Sequence, residues 1–211
     1  PAVKPAYAGY IAWRGLVDEA AIPPPVHADI FDAMVFGLPP NEQFISYPVA
    51  GRDNDLRPGH RRCNFVWYRP ADEATELRRL LTDASGRFHA LGIPPPLVRE
   101  EVIASLREDS RTLLAPQLDA VVSLTPQPFL QPIFDVETER MAVGSVAIIG
   151  DAAFLARPHV AAGVTKAAED AMALANALRA HDDVATALAA FERERMPANR
   201  RIMDRGRELG G

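Results

Sequence analysis

The sequence predicts an α+β fold, with a mainly antiparallel sheet and helices up to about residue 140 and a strand–loop–helix segment after it. Three observations support this prediction. Runs rich in aromatic and β-branched residues alternate with polar loops before residue 70. Helical periodicity then dominates residues 72–122. Finally, a short apolar run at 144–149 precedes an alanine-rich helical pattern that has no βαβ partner of its own.

In the first segment, strands are expected where aromatic and β-branched residues cluster, at 7–17, 43–49 and 63–68. Residues 50–60 are rich in Gly, Asp and Asn, which is typical of a long hairpin loop. Leucines on one face predict a helix at 72–81. The triple proline at 94–96 separates it from helices expected at 98–106 and 112–122, and a strand follows at 129–136.

The apolar run 144–149 suits a fully buried strand of an α/β sheet. A helix follows it, whose small and apolar face is expected to approach a sheet closely: Val164, Ala168, Ala171, Ala175 and Leu178. A last helix from Val184 contains Pro197. We therefore expect two domains, 1–140 and 141–211.

Composition and charge exclude several classes of function. The 211 residues are 48% hydrophobic, which is enough for a globular core. A net charge of −5 offers no basic excess for nucleic acid. No apolar run has the length of a membrane span, and no signal peptide precedes the first strand. The single cysteine, Cys63, fits a reducing compartment, so a cytoplasmic location is expected.

The pattern that carries chemistry is Gly150-Asp151 at the end of the apolar run. An aspartate there can accept hydrogen bonds from the vicinal hydroxyls of a nucleotide, and Gly150 permits the backbone to turn beside a ligand. The next helix begins near 163–165, where free N–H groups favour an anion. The alternative is a strand end and a helix cap without a ligand, but the ordered combination is much more specific than Gly-Asp alone.

Residues 150–154 (GDAAF) and 157–164 (RPHVAAGV) resemble the second flavin-binding motif of single-component flavoprotein hydroxylases, the group typified by p-hydroxybenzoate hydroxylase. Within that group they are most similar to the 2,6-dihydroxypyridine hydroxylase branch. Residues 7–15 (YAGYIAWRG) resemble the start of the substrate-domain sheet of that branch. The resemblance covers most of the chain and implies an FAD-binding α/β domain at 141–211.

The resemblance implies FAD as cofactor. It places Asp151 at the ribityl or pyrophosphate region and the loop after Pro158 beside the isoalloxazine ring. The cofactor-binding residues expected are Gly150, Asp151, Pro158, Gly163, Val164 and Thr165. The family's Gly-x-Gly-x-x-Gly turn does not occur in this sequence. We therefore expect a C-terminal part whose N-terminal Rossmann half is absent, and weak or no FAD binding by this chain alone.

The resemblance further implies a monooxygenase in which NADH or NADPH reduces FAD and O₂ forms a flavin C4a-hydroperoxide. That species hydroxylates an electron-rich aromatic or N-heteroaromatic ring. His159 is the candidate base for ionising the substrate hydroxyl, with simple packing or backbone hydrogen bonding as the alternative. Substrate contacts are expected from Tyr47, Trp67, Phe129 and Gln131, although the three aromatic residues also suit a core. No metal site is predicted.

Two other functions stay open. A non-catalytic fragment or protein-interaction module without tight FAD binding is one, because removing a Rossmann half exposes apolar surface. A flavoprotein of the same architecture that epoxidises an alkene or only oxidises its substrate is the other. A homodimer is the expectation at the level of the family.

Overall fold

A computed structural model describes residues 3–210 of the protein. The chain forms two compact units, which are described separately. One unit is Gly9–Pro132, and the other combines the residues up to Ala8 with those from Ile133 onward. Helices accompany a mainly antiparallel set of strands, which confirms the α+β class.

The first unit, Gly9–Pro132, contains an antiparallel sheet with strand order β2-β3-β4-β1. The strands are β1 (Ala6–Asp18), β2 (Val35–Gly37), β3 (Gln43–Val49) and β4 (Arg62–Pro70). A further strand, β5 (Phe129–Glu137), begins in this unit. The strands expected at 7–17, 43–49, 63–68 and 129–136 are thereby confirmed. The long loop between β3 and β4 is also confirmed, with one 3-10 turn at Arg52–Asn54.

The helices of this unit are α1 (Pro24–Ile30), α2 (Arg78–Leu80), α3 (Glu100–Leu113) and α4 (Pro116–Leu124). A π-helical turn at Glu73–Leu77 precedes α2, so the helix expected at 72–81 is present in a less regular form. The boundaries expected at 98–106 and 112–122 are wrong. The first helix continues to Leu113, and the second starts at Pro116, because a proline lacks an N–H group and fits the first turn.

One face of the sheet forms the core of this unit. Phe44, Phe65 and Trp67 are 0% exposed. The Phe44 ring stacks on Phe65 at 5.4 Å and meets Trp67 edge-on at 6.1 Å between ring centroids. A side chain at Gly15 would clash with Phe65 and Thr125, so this position in β1 requires glycine.

The second unit holds three short strands and two long helices: β6 (Ala142–Val143), β7 (Val146–Ala147), β8 (Phe154–Leu155), α5 (Gly163–Ala180) and α6 (Val184–Leu209). β8 pairs with the end of β5 in antiparallel register. The core of this unit includes Phe154, Phe191 and Met203. α6 continues through Pro197 to Leu209. Among residues 3–210, no helix is both long enough and apolar enough to cross a bilayer.

The prediction of a buried strand at 144–149 is wrong. Only Val146–Ala147 is a strand, and it forms a hairpin with β6. Gly144 adopts a φ of +61°, which turns the chain back at this point. The side chains of Val143 and Val146 are 61% and 65% exposed, so an apolar run does not by itself create a buried strand.

The helix after residue 163 is confirmed as α5, but its inward face is not the one expected. Val164 is 87% and Leu178 is 45% exposed, whereas Lys166, Asp170 and Ala173 are buried. Asp170 can lie inside because α6 supplies hydrogen-bond donors for its carboxylate, described below. Apolar periodicity therefore identified the helix and misassigned its face.

Candidate functional site

The Gly150-Asp151 pair lies in a 3-10 turn, Gly150–Ala152, directly before β8. Gly150 is buried with φ of +60°, and a Cβ atom there would lie 3.2 Å from the Cβ of Ala167. Glycine is therefore required both by the backbone conformation and by the close approach of α5. The Asp151 side chain is 66% exposed. The turn therefore leaves the Asp151 carboxylate accessible from solvent.

A buried hydrogen-bond network holds this turn in place. The Gly150 N–H donates to Oδ2 of Asp170 at 3.0 Å, and Asp170 is 0% exposed. Arg195 Nε donates to Oδ1 of Asp170 at 2.8 Å, and Asn199 Nδ2 donates to the same oxygen at 3.0 Å. Both donors come from α6. Asp170 thus ties the turn, α5 and α6 together, and the sequence analysis missed Arg195 and Asn199.

Lys166 lies under the same turn and was also missed. Its side chain is 0% exposed, and its Nζ has no hydrogen-bond partner. The nearest carboxylate oxygen is Oδ1 of Asp151, at 4.0 Å. Burial lowers the pKa of Lys166, while the charges of Asp170 and Asp151 oppose that shift. The spacing of four residues between Lys166 and Asp170 on one helix predicts that their side chains are neighbours, but it does not predict their burial.

The positive end of α5 is free of side-chain caps. Ala162 occupies the N-cap position and has no side-chain oxygen to accept a hydrogen bond from the first turn, and that turn contains no acidic residue. Gly163, Val164 and Thr165 form that first turn and are all exposed. The N–H groups of this turn and the helix dipole would favour an anion at this end; its binding there stays a prediction.

The loop before α5 contains a 3-10 turn, Pro158–Val160, which ends at Ala161 with φ of +50°. His159 is half-buried, and burial, assisted by the charge of Arg157, lowers its pKa. The imidazole is therefore neutral at pH 7 and can accept a proton. Arg157 itself pairs with Asp135 at 3.1 Å and donates to the carbonyl of Gly210 at 2.8 Å, so it anchors the loop.

The four predicted substrate contacts lie in different environments. Tyr47 is half-buried, and it lies opposite Asn64 in the sheet register. Trp67 is fully buried on the other face, where it packs with Phe44 and under the guanidinium of Arg69 at 4.5 Å. The two side chains therefore do not share a pocket wall.

Phe129 and Gln131 lie on one side of β5, because alternate residues of a strand point the same way. Phe129 is half-buried, whereas Gln131 is exposed. Solvent can satisfy the Gln131 amide, so this residue does not need the buried partner on which its selection was based.

An exposed carboxylate on a turn, an uncapped helix N-terminus and a buried lysine whose Nζ makes no hydrogen bond together suit a ligand that has hydroxyl groups and negative charge. Flavin and other nucleotide cofactors form that class of ligand. The geometry of this site is thus compatible with a protein that binds a nucleotide cofactor.

Comparison with known proteins identifies the family. Residues 87–206 match the family model for an FAD binding domain, and residues 7–135 match a model described as FAD binding domain-like. The chain belongs to the FAD-binding domain family, which agrees with the resemblance found in the sequence.

Two relatives show the same relationship. The chain is 30% identical to 2,6-dihydroxypyridine 3-monooxygenase of Paenarthrobacter nicotinovorans, over 98% of this chain and 51% of that protein. It is 28% identical to an FAD-dependent urate hydroxylase of Klebsiella pneumoniae, over 96% and 44%. The chain thus spans about half the length of these relatives.

A solved structure agrees in fold. The structure of 2,6-dihydroxypyridine-3-hydroxylase from Arthrobacter nicotinovorans superposes with a TM-score of 0.89 and 28% identity. The match covers 98% of this chain and 51% of that one.

Proposed function

We propose that this chain is the substrate-sheet and flavin-loop half of an FAD-dependent monooxygenase that hydroxylates an electron-rich aromatic or N-heteroaromatic ring. NADH or NADPH is the proposed reductant, and O₂ is the second substrate. The observation that carries the proposal is the Gly150-Asp151 turn, anchored by Asp170 beside the uncapped end of α5. The relatives named as dihydroxypyridine and urate hydroxylases support the ring class.

The residues present fit FAD. The Asp151 carboxylate would accept hydrogen bonds from ribityl hydroxyls, and the N–H groups of Gly163, Val164 and Thr165 would face the anionic part of the flavin. Pro158 and the turn after it would border the ring system. The Lys166 Nζ makes no hydrogen bond and lies 4.0 Å from Oδ1 of Asp151, where it could donate to a bound ligand. FAD, when bound, supplies the activation of oxygen.

The chain's own residues would bind the ring, exclude water and move one proton. Neutral His159 is the proposed base for a ring hydroxyl, since burial keeps it unprotonated near pH 7. Tyr47, Phe129 and Gln131 are the proposed substrate contacts, and Trp67 would support the sheet from its covered face. Residues 1–140 would then serve the substrate, and residues 141–211 would serve the flavin.

We further propose that tight FAD binding needs a separate Rossmann half with a pyrophosphate-binding turn. The length of the relatives supports this, since the chain covers only 51% of the dihydroxypyridine enzyme. Charge-assisted hydrogen bonds to a pyrophosphate contribute about 1.5–3 kcal/mol each, so their loss would leave weak binding. This chain alone would then be inactive.

The test uses the natural protein that contains this chain. It should retain FAD, and a ring substrate such as 2,6-dihydroxypyridine should trigger NADH or NADPH oxidation together with a product one oxygen atom heavier. Asp151→Asn should weaken FAD binding about 10- to 100-fold, because a charged acceptor is lost. Asp182→Asn, at an exposed position, is the matched control and should bind FAD normally.

Oxidation of NADH or NADPH without a hydroxylated product would instead indicate an oxidase. Loss of FAD binding in both aspartate variants would show that the Asp151 effect is non-specific.

A non-catalytic interaction module is the second candidate, and the exposed apolar residues favour it. Val146, Val164 and Met172 are 65%, 87% and 66% exposed in the unit that carries the flavin loop. Such a surface suits a partner chain. A protein that does not bind FAD but forms a stable complex with a partner chain through these residues would support the interaction-module hypothesis.

A further inference from the structure

Lys166 is a buried basic residue that packing alone does not explain. Of the 23 lysines and arginines in the sequence, only Lys4 and Lys166 are lysines. Lys4 is exposed, whereas the side chain of Lys166 is 0% exposed. Its Nζ atom makes no hydrogen bond within residues 3–210. Burying an ammonium group without hydrogen bonds costs free energy that an apolar side chain would avoid. The lysine is therefore expected to have a role other than packing.

Helix α5 brings Lys166 directly under the Gly150-Asp151 turn. The helix can approach closely, since a Cβ atom at Gly150 would lie 3.2 Å from the Cβ of Ala167, the residue after Lys166. The Nζ atom of Lys166 lies 4.0 Å from Oδ1 of Asp151. The Asp151 side chain is 66% exposed, so its carboxylate has a covered ammonium on one side and solvent on the other. One carboxylate thus connects a buried positive charge with the place where a ligand would bind.

The other carboxylate near Lys166 already has its own partners. Asp170 accepts hydrogen bonds from three other groups, and Lys166 is not one of them. Arg195 of α6 pairs with Asp170 at 2.8 Å and supplies the positive charge that this buried carboxylate needs. Among the described residues 3–210, Lys166 is the only cationic side chain within 4.0 Å of the Asp151 carboxylate. The natural partner of Lys166 is therefore Asp151.

The protonation of Lys166 depends on three charged neighbours and on burial. Burial lowers the pKa of Lys166, and the charge of Arg195 on α6 adds to this shift. Asp170 on α5 and Asp151 in the turn oppose it. Lys166 can therefore lose its proton below the ordinary lysine pKa of 10.5, whereas an arginine at this position would keep its charge. The use of lysine makes its pair with Asp151 sensitive to pH.

We propose that Lys166 is a positioning residue: its charged Nζ holds the Asp151 carboxylate in the orientation that accepts hydrogen bonds from cofactor hydroxyl groups, and loss of its proton releases that carboxylate. The inference rests on the proposed contact between Asp151 and FAD, and it adds a pH-dependent control of cofactor retention. Without the ammonium, the exposed carboxylate gains rotamer freedom that cofactor binding must remove. Because Nζ is covered, Lys166 acts through Asp151, and direct donation to the cofactor is the alternative that the experiment separates.

The experiment measures the dissociation constant of FAD for the natural protein that contains this chain. Bound FAD is removed, and added FAD is followed by the quenching of its fluorescence at several pH values from neutral upward. The variants are Lys166→Met, Lys166→Arg, Asp151→Asn and the double variant that combines Lys166→Met with Asp151→Asn. Lys4→Met is the matched control, because Lys4 is exposed. Thermal melting without FAD reports whether each variant folds.

At neutral pH, Lys166→Met should weaken FAD binding about 5- to 10-fold, because its pair with Asp151 is partly exposed and screened. The melting temperature of this variant without FAD should stay equal or rise, since methionine removes a buried charge. In the Asp151→Asn background, the same substitution should change the dissociation constant less than about twofold, because the group on which Lys166 acts is gone. Lys4→Met should bind FAD as the wild type does.

The pH profile separates positioning from a purely structural role. The charged form of Lys166 exists below its pKa and is lost above it. The FAD affinity of the wild type should therefore fall as the pH rises from neutral towards 10.5. Lys166→Arg keeps the charge, so it should restore binding at neutral pH and should not show this fall. Lys166→Met should show the weaker affinity at every pH.

Equal losses from Lys166→Met with and without the Asp151 carboxylate would overturn the proposal and indicate direct donation to the cofactor. Wild-type affinity in Lys166→Met, or a loss that only accompanies a lower melting temperature, would also overturn it. A wild type that binds no FAD would reject the proposed function together with the inference. FAD binding that depends on Lys166, without a hydroxylated product from any ring, would retain the inference and reject only the hydroxylase.

Discussion

Replacing Asp170 with asparagine tests the network that holds the Gly150-Asp151 turn. The carboxylate accepts bonds from the Gly150 N–H, Arg195 and Asn199, and it is 0% exposed. Asparagine keeps the volume but removes the charge and one acceptor oxygen. Breaking a buried ion pair costs about 3–5 kcal/mol. Arg195 keeps a second ion pair with Glu169, which is 51% exposed, so we expect the lower end, about 3 kcal/mol.

Thermal and urea unfolding followed by circular dichroism measure this change. For a chain of this size, about 3 kcal/mol corresponds to a fall in Tm of roughly 6–12 °C. Glu169→Gln is the matched control, and it should cost less than about 1 kcal/mol because the pair is half in solvent. A cost below about 1 kcal/mol for Asp170→Asn, or equal costs for both variants, would refute the anchoring role of Asp170.

Two further predictions concern the loop before α5 and the ion pairs near α1. Ala161→Gly should stabilise the protein by about 0.5–1 kcal/mol, because Ala161 has a φ of +50° that disfavours a side chain. Ala168→Gly, in the helix α5, is the control and should destabilise the protein. Stabilisation by both substitutions would contradict the argument. The Arg61 guanidinium, assisted by His27, lowers the pKa of buried Glu19 from 4.5 to about 2. This stabilisation is complete above pH 4.5 and is lost as the pH falls towards 2. Unfolding midpoints measured against pH should therefore fall less steeply in Glu19→Gln, and identical slopes would exclude Glu19 as the cause.

Local sequence was sufficient for the elements that depend on local preference. Alternating aromatic and β-branched residues located β1, β3, β4 and β5, and alanine-rich periodicity located α5. Gly150, with its positive φ, and the uncapped start of α5 at Gly163 also follow from residue type and order. The family resemblance rested on the same short segments, and the comparisons confirmed it.

Only the tertiary structure decided which side of each element is buried. Apolar periodicity pointed to Val164 and Leu178 on α5, but Asp170 faces inward because Arg195 and Asn199 donate to it from another helix, 25 or more residues away. The run 144–149 did not form one buried strand, because Gly144 reverses the chain into a short hairpin and only residues 147–149 pack partly against the core. Sequence by itself determined the elements and the flavin-type motif, since these depend on neighbours along the chain. The buried charges of Asp170 and Lys166 depend on neighbours in space.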